Sequence, residues 1–564
     1  MLISWTNSCV KQSRNMQLCR MLSNVAKHKI VPNCLMTAVN ERAKCVTPHI
    51  KGSPPTVIII GGGLAGLSAA ERLEKAGIHD VTILEAQKEL GGRIKTCKMN
   101  RTNIELGAYH IEGASVANPV YNLANVECLL CPRMEKKPKK EFYFTTDGRM
   151  AMGYDEAKMW CEKILHEAAS FFTSSQEPPQ WNLHEYIEDR LRTVTMNLPG
   201  EARQDFIMCV NGLMNCLKAK IGEDLRNICL KQYGSAIEIP GGTLRFPAGA
   251  LGLVKSLYNC NVLFEKVVQK ICYGTNTLGH RVTVQCCDGS AYCCDYVIVT
   301  VSLGVLKTLG DMMFQPRLPP LKTSAIQRLG FGFLTVIHFQ YAKPFWNKGE
   351  HFTMRVSWSK QETEFMTDWV QGICTVMEII GPDHILKVTV VGREAEWAEK
   401  MNDRRLAEEF TAFIRKLTGD GSLPCPTDVI KSHWCNNIHF YGSKSYLGLG
   451  STVKDQCILA EPLPGPCAEG PPSVMFAGEA TCPGHFGTLQ GARISGFREA
   501  ERIIDLTIEL KGAPMFPDFG TLPKLEPCIT PDQKPVEPEI ICPKPKEKED
   551  VACRESVPCD PCNY

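Results

Sequence analysis

The stretch Thr56-Val-Ile-Ile-Ile-Gly61-Gly-Gly63-Leu-Ala65-Gly66-Leu constrains this chain more than any other. An apolar strand runs directly into G-x-G-x-x-G, and the Ala-rich segment Ser68 to Ala76 continues it as a helix. Gly61 permits the tight turn, Gly63 lets the backbone approach a pyrophosphate, and Gly66 allows helix and strand to pack closely. The helix start then offers unpaired N–H groups to an anion. A second strand, Val81 to Leu84, ends at Glu85, where a carboxylate accepts hydrogen bonds from ribose hydroxyls. This arrangement predicts an α/β fold with a dinucleotide at the strand ends, NAD or FAD rather than NADP.

Two further clusters separate FAD from NAD. Gly91-Gly92-Arg93 follows Glu85 closely, and Phe476-Ala-Gly478-Glu479-Ala-Thr481 precedes a helix near the C-terminus. The stretch Val57 to Arg93 resembles the flavin-containing amine oxidases, as do Glu105-Leu-Gly107-Ala108, Tyr296 to Leu306 and Phe476 to Ala500. Within that family the chain looks most like the spermine and polyamine oxidases, over roughly residues 55–510. The resemblance implies a Rossmann-type FAD-binding domain, interleaved with an α+β substrate domain. The flavin domain would comprise 55–150, 240–310 and 430–511, with substrate segments at 151–239 and 311–429.

By the same resemblance Glu85 would hold the adenosine ribose, and Gly92, Arg93, Gly107 and Ala108 would lie along the cofactor. Val268 would meet the adenine through its backbone, Glu479 the ribityl-pyrophosphate region, and Thr488 would cap the isoalloxazine. No cysteine in the matching C-terminal region has the covalent-attachment context of the monoamine oxidases, which implies non-covalent FAD. The implied reaction removes a hydride equivalent from the carbon beside a neutral amine, with O2 as final acceptor and hydrogen peroxide as product.

The chain departs from the family around the reacting centre. Val336 stands where family members carry a lysine, and Lys444 where they commonly carry an aromatic side chain. A cation at Lys444 would repel a protonated amine. Glu112 replaces the histidine of animal polyamine oxidases, as in the plant enzymes, and is the first candidate to contact the substrate amine; Lys444 and Tyr446 are expected to line the same cavity. Lys218 and Lys220 fall where spermine oxidases place an acidic contact. Three readings stay open: a working polyamine oxidase, an altered or inactive FAD-binding protein with an interaction role, and a flavin oxidoreductase with another substrate and acceptor.

Composition narrows the partners. Lys plus Arg number 63 against 61 Asp plus Glu, so no basic excess marks nucleic acid as a partner. The longest apolar stretch, Thr56 to Ala70, holds 15 residues with four glycines, too short to span a membrane. Residues 1–54 form an extension whose first 40 residues lack Asp and Glu; they resemble a mitochondrial presequence or are merely a basic tail, so cytoplasmic and mitochondrial placements both remain. In residues 512–564, 11 prolines predict disorder. Most of the 28 cysteines are expected as reduced, buried or solvent-facing thiols. No metal site is expected, because Cys286, Cys287, Cys293 and Cys294 flank a hairpin turn and alternate across its faces.

Overall fold

The structure is a computed structural model that describes residues 54–130, 141–145, 152–258, 260–277, 280–349, 352–357, 368–464 and 471–511. The expectations for residues 1–53 and 512–564 lie outside the described residues.

The central strand, Val57–Ile60, is apolar on both faces and fully buried, the pattern of a parallel sheet covered on each side. Four strands join it in parallel: Val474–Phe476, Tyr296–Val299, then Val57–Ile60, Val81–Leu84 and Asn261–Leu263 in spatial order. One sheet thus draws strands from near both ends of the described chain. The helix Leu64–Lys75 follows the central strand and packs on the final helix, Leu489–Lys511. Arg493 fastens the two, reaching Ser68 Oγ at 3.0 Å and Glu71 at 2.8 Å.

A second, six-stranded sheet has the order Asp428–Lys431, Leu334–Tyr341, His384–Val391, Ile373–Ile379, Thr353–Ser357, Glu141–Thr145. Alternation along Leu334–Tyr341 sends Ile337, Phe339 and Tyr341 into an apolar core shared with the helix Asp403–Thr418. Phe339 and Phe410 stack there, with ring centroids 4.3 Å apart. Val336 and His338 therefore point to the opposite face. Three helices, Tyr154–Ser170, Leu183–Val194 and Gly200–Ile221, build a third apolar core beside this sheet.

The helical periods at Ile164 and Ala168 and at Leu406, Phe410, Phe413 and Leu417 mark buried faces, and the second helix ends at Gly419 in the left-handed region, φ +70°. The Asp288-Gly289 turn joins the hairpin His280–Cys286 and Ala291–Cys294, after which Tyr296–Val299 enters the parallel sheet. Cys286 and Cys294 turn into the core while Cys287 is exposed, and among the described residues no cluster of His, Cys, Asp or Glu could hold a metal ion. Among the described residues no helix is long and apolar enough to cross a membrane.

Phe410→Ala removes the stacked ring from a fully buried position and should cost about 3–5 kcal/mol. A guanidinium denaturation series against wild type would read this as a lowered midpoint at unchanged slope.

Candidate functional site

The helix Leu64–Lys75 starts at Gly63 without any side-chain cap, so its first N–H groups face outward unpaired. A Cβ on Gly66 would collide with the carbonyl oxygen of Gly61, whereas one on Gly63 would meet only the Gly92 Cα at 4.0 Å. Gly66 is thus a packing residue, and Gly63 keeps the space above the helix open. Both Gly61 and Gly63 line a cavity of about 530 Å³, with Ala65 beside them; Gly66 does not reach it.

Glu85 lies at the end of Val81–Leu84, buried, with its carboxylate on the cavity wall. Gly62 N–H donates to one oxygen at 2.6 Å and Gln87 N–H to the other at 2.8 Å. Each oxygen keeps lone-pair capacity for a further donor. Val268 lines the same end of the cavity.

Arg93 and Glu479, 386 residues apart in sequence, form a partly buried ion pair at 2.8 Å, with Glu479 the buried partner. Arg93 also donates to the Ser443 carbonyl at 2.8 Å. Glu479 accepts from the Ser445 hydroxyl and from Gly487 N–H. Burial works against charge on Glu479, yet Arg93, Ser445 and Gly487 together hold its carboxyl below the ordinary range. The Arg93 carbonyl also accepts from Ala108 N–H at 3.1 Å, and a Cβ on Gly107 would strike that carbonyl. Gly92, Arg93, Gly107, Ala108 and Glu479 all border the cavity. Thr488, at the start of the final helix, accepts from Gly491 N–H at 3.1 Å and lines the cavity too. Two helix N-termini therefore open onto one space.

Beyond this cradle the cavity meets the six-stranded sheet. Val336 lines it, as do Thr389, its cross-strand neighbour, and Arg355, Thr375, Met377 and Lys387. Buried Glu399 gathers the backbone N–H groups of Trp434, Cys435 and Asn436 with the Thr335 hydroxyl, which fixes Trp434 against the cavity.

Glu112 also borders the cavity, 3.1 Å from His110 Nε2. Its carboxyl is held down to about 2, chiefly by the His110 hydrogen bond, with Lys444 and Lys220 adding to it. Lys444 also lines the cavity; its Nζ donates to the Lys220 carbonyl at 2.7 Å, in the last turn of Gly200–Ile221, where a cation suits the helix dipole. Lys220 borders the cavity, while Lys218 pairs with Asp224 at 2.9 Å.

Tyr446 is a correction. It does not line the cavity, but packs on Gly330 and the helical core, bonded to Glu223. Strand alternation puts it on the side of Lys444, two residues farther along, where it meets Gly330 and Glu223 instead.

Lys387 escaped the sequence reading. It lies mid-strand in His384–Val391, 5% exposed, with Nζ 3.3 Å from the centroid of the Tyr109 ring. Burial, then Arg245, lowers its pKa to about 7, against Glu105, which raises it. The available signal was a single lysine inside the apolar run Ile-Leu-Lys-Val of that strand.

Comparison with known proteins agrees with this geometry. A profile described as flavin containing amine oxidoreductase matches residues 64–504. Human peroxisomal N(1)-acetyl-spermine/spermidine oxidase is 30% identical over 495 residues, covering 80% of this chain and 95% of that protein. Protein anon-37Cs of Drosophila melanogaster is 29% identical, covering 80% and 90%. Polyamine oxidase 1 of Zea mays is 27% identical, again covering 80% and 90%.

Lys387 makes stability depend on pH. Its folded pKa lies below lysine's ordinary 10.5, so between about pH 7 and 10.5 the unfolded chain binds more protons and stability rises with pH. Arg245, Glu105, Tyr109 and His338 face it and remain in both proteins compared. Lys387→Met should therefore melt higher than wild type at pH 6.5, by at least about 2 °C, with the gap closing as pH rises toward 9.5. A gap that is constant across that range would contradict the assignment.

Proposed function

The chain belongs to the flavin-containing amine oxidoreductases, and from that premise we propose that it is an amine oxidase holding FAD without a covalent bond. The observation that carries this reading is one cavity bordered by both the Gly61–Glu85 cradle and the open face of the six-stranded sheet. The residues fit the cofactor: Gly63 leaves room for a pyrophosphate at uncapped N–H groups, and Glu85 retains acceptor capacity for ribose hydroxyls. Arg93 and Glu479 would fix the middle of the cofactor, with Ala65, Gly92, Gly107, Ala108, Val268 and Thr488 along it. The flavin, when bound, supplies the acceptor for an electron pair and a proton.

The balanced reaction takes a secondary amine, O2 and water to an aldehyde, a shorter amine and hydrogen peroxide. The protein's own part is to seat the amine, keep it deprotonated and exclude bulk water. Glu112 is the proposed contact for the substrate nitrogen, and Lys444, tied to the Lys220 carbonyl, shapes the wall beside it. The names of the relatives bring polyamines such as spermine, and their N-acetylated forms, as the first substrates to test. Val336 favours a second reading, a protein that binds flavin but has lost oxidation, because no side-chain donor or acceptor stands at that wall position.

Purified protein should show a flavin absorption band, and the flavin should leave with the supernatant after acid precipitation. Anaerobic mixing with a panel of amines, including spermine and N1-acetylspermine, should bleach the band with at least one of them. A band that no amine bleaches would move the assignment to the second reading; flavin retained in the precipitate would overturn the non-covalent one.

A further inference from the structure

The wall formed by the six-stranded sheet is rich in donors and poor in acceptors. Its register places Thr389 between Thr375 and Val336, and Lys387 between Met377 and His338, all on one face. Arg355 follows two residues after Thr353, itself paired with Met377, and reaches the same face, where its guanidinium touches the Cys216 thiol. Lys387 makes no hydrogen bond and no ion pair among the described residues, although it is 5% exposed and borders the cavity. Its one close partner is the Tyr109 ring, which can balance only part of an ammonium charge. The nearest acid acting on it, Glu105, already accepts from Thr96 and Ala250 through one oxygen and lies beyond ion-pair distance. A buried cation of this kind is costly unless something pairs with it.

The rest of the cavity outside the cradle shares this bias. Lys220 and Lys444 both act on Glu112, among the described residues the one carboxylate bordering this part, and His110 already holds it. A substrate with several ammonium groups would meet Lys387, Arg355, Lys444 and Lys220 against that single, already paired acid. Repulsion of this sort discriminates strongly in a low-dielectric site.

Resting on the amine-oxidase reading, we propose that Lys387, with Thr389 and Arg355 beside it, forms a carboxylate-binding subsite, and that the amine oxidised carries a carboxylate at the end remote from the reacting C–N bond. The carboxylate accepts from the Lys387 ammonium, so the charged form that burial disfavours in the free cavity is paired in the complex. Lys387 is a binding residue here, and no proton transfer to the reacting carbon is assigned to it.

The test uses the flavin-loaded protein and three matched ligands of one chain length: butylamine, putrescine and 4-aminobutanoate, which differ only in a neutral, cationic or anionic far end. A second set, pentylamine, cadaverine and 5-aminopentanoate, allows for reach. Binding is read anaerobically as perturbation of the flavin band, so turnover is not required. The amino acid should bind tighter than the diamine in at least one length. Lys387→Gln should weaken that amino acid by about 10-fold or more, the factor expected for one charge-assisted hydrogen bond, and leave the matching alkylamine within about 2-fold.

Tighter binding of the diamine in both lengths, or binding of none of the ligands, overturns the proposal. So does a Lys387→Gln protein that keeps its affinity for the amino acid. Lys387→Gln that loses flavin instead would assign Lys387 to a cofactor phosphate, which also overturns it. The two readings fail separately. If no amine bleaches the flavin but the amino acid binds through Lys387, oxidation fails and the subsite stands. If diamines bleach it and bind best, the subsite fails and oxidation stands.

Discussion

The ion pair between Arg93 and Glu479 holds the site together. One partner follows the second parallel strand, and the other follows the strand Val474–Phe476 at the far edge of the same sheet. Removing Arg93 would leave the charge of buried Glu479 uncompensated, whereas Arg93 itself keeps some contact with solvent. Here both partners make further bonds: Arg93 to the Ser443 carbonyl, Glu479 to Ser445 and Gly487. Ser443 and Ser445 flank Lys444, so the pair also fixes the strand that carries Lys444 to the cavity. The N-terminal cradle, the C-terminal cradle and one substrate wall therefore share a single electrostatic joint.

The cradle was legible because its chemistry is local. G-x-G-x-x-G and the acid after the second strand each suggest a role within a few residues, since turns and helix starts are set by neighbours in sequence, while Gly478-Glu479 was placed by the family resemblance. The strands Val57–Ile60, Val81–Leu84 and Tyr296–Val299 were legible for a related reason: continuous apolar runs mark strands covered on both faces.

The substrate wall was not legible in the same way. Val336, Thr389, Thr375 and Arg355 come from four strands, and only the register brings them into one row. A shift of one residue in any strand would turn its members into the Phe339–Phe410 core, and no local motif reports that register. Tyr446 shows the same limit from the other direction. The family resemblance of the segment Phe440 to Tyr446 suggested a cavity residue, but the fold packs the Tyr446 ring on Gly330 and the helical core. Lys387 was missed because a lone lysine in a strand usually marks an exposed edge, and nothing in sequence distinguished that case from a buried central strand flanked on both sides.

That burial bears on how such a site can be maintained. A methionine of similar length in place of Lys387 would fill the same space over Tyr109 without the desolvation that lowers the ammonium's pKa to about 7. Stability therefore gives no reason for lysine at this position, whereas a ligand that brings its own negative charge does. The same logic separates Lys387 from Lys444. Lys444 has its carbonyl acceptor at the end of Gly200–Ile221 and Glu112 nearby, so its charge is satisfied within the protein before any ligand arrives. Of Lys387 and Lys444, the one that makes no hydrogen bond and no ion pair among the described residues is the one whose charge a substrate can use.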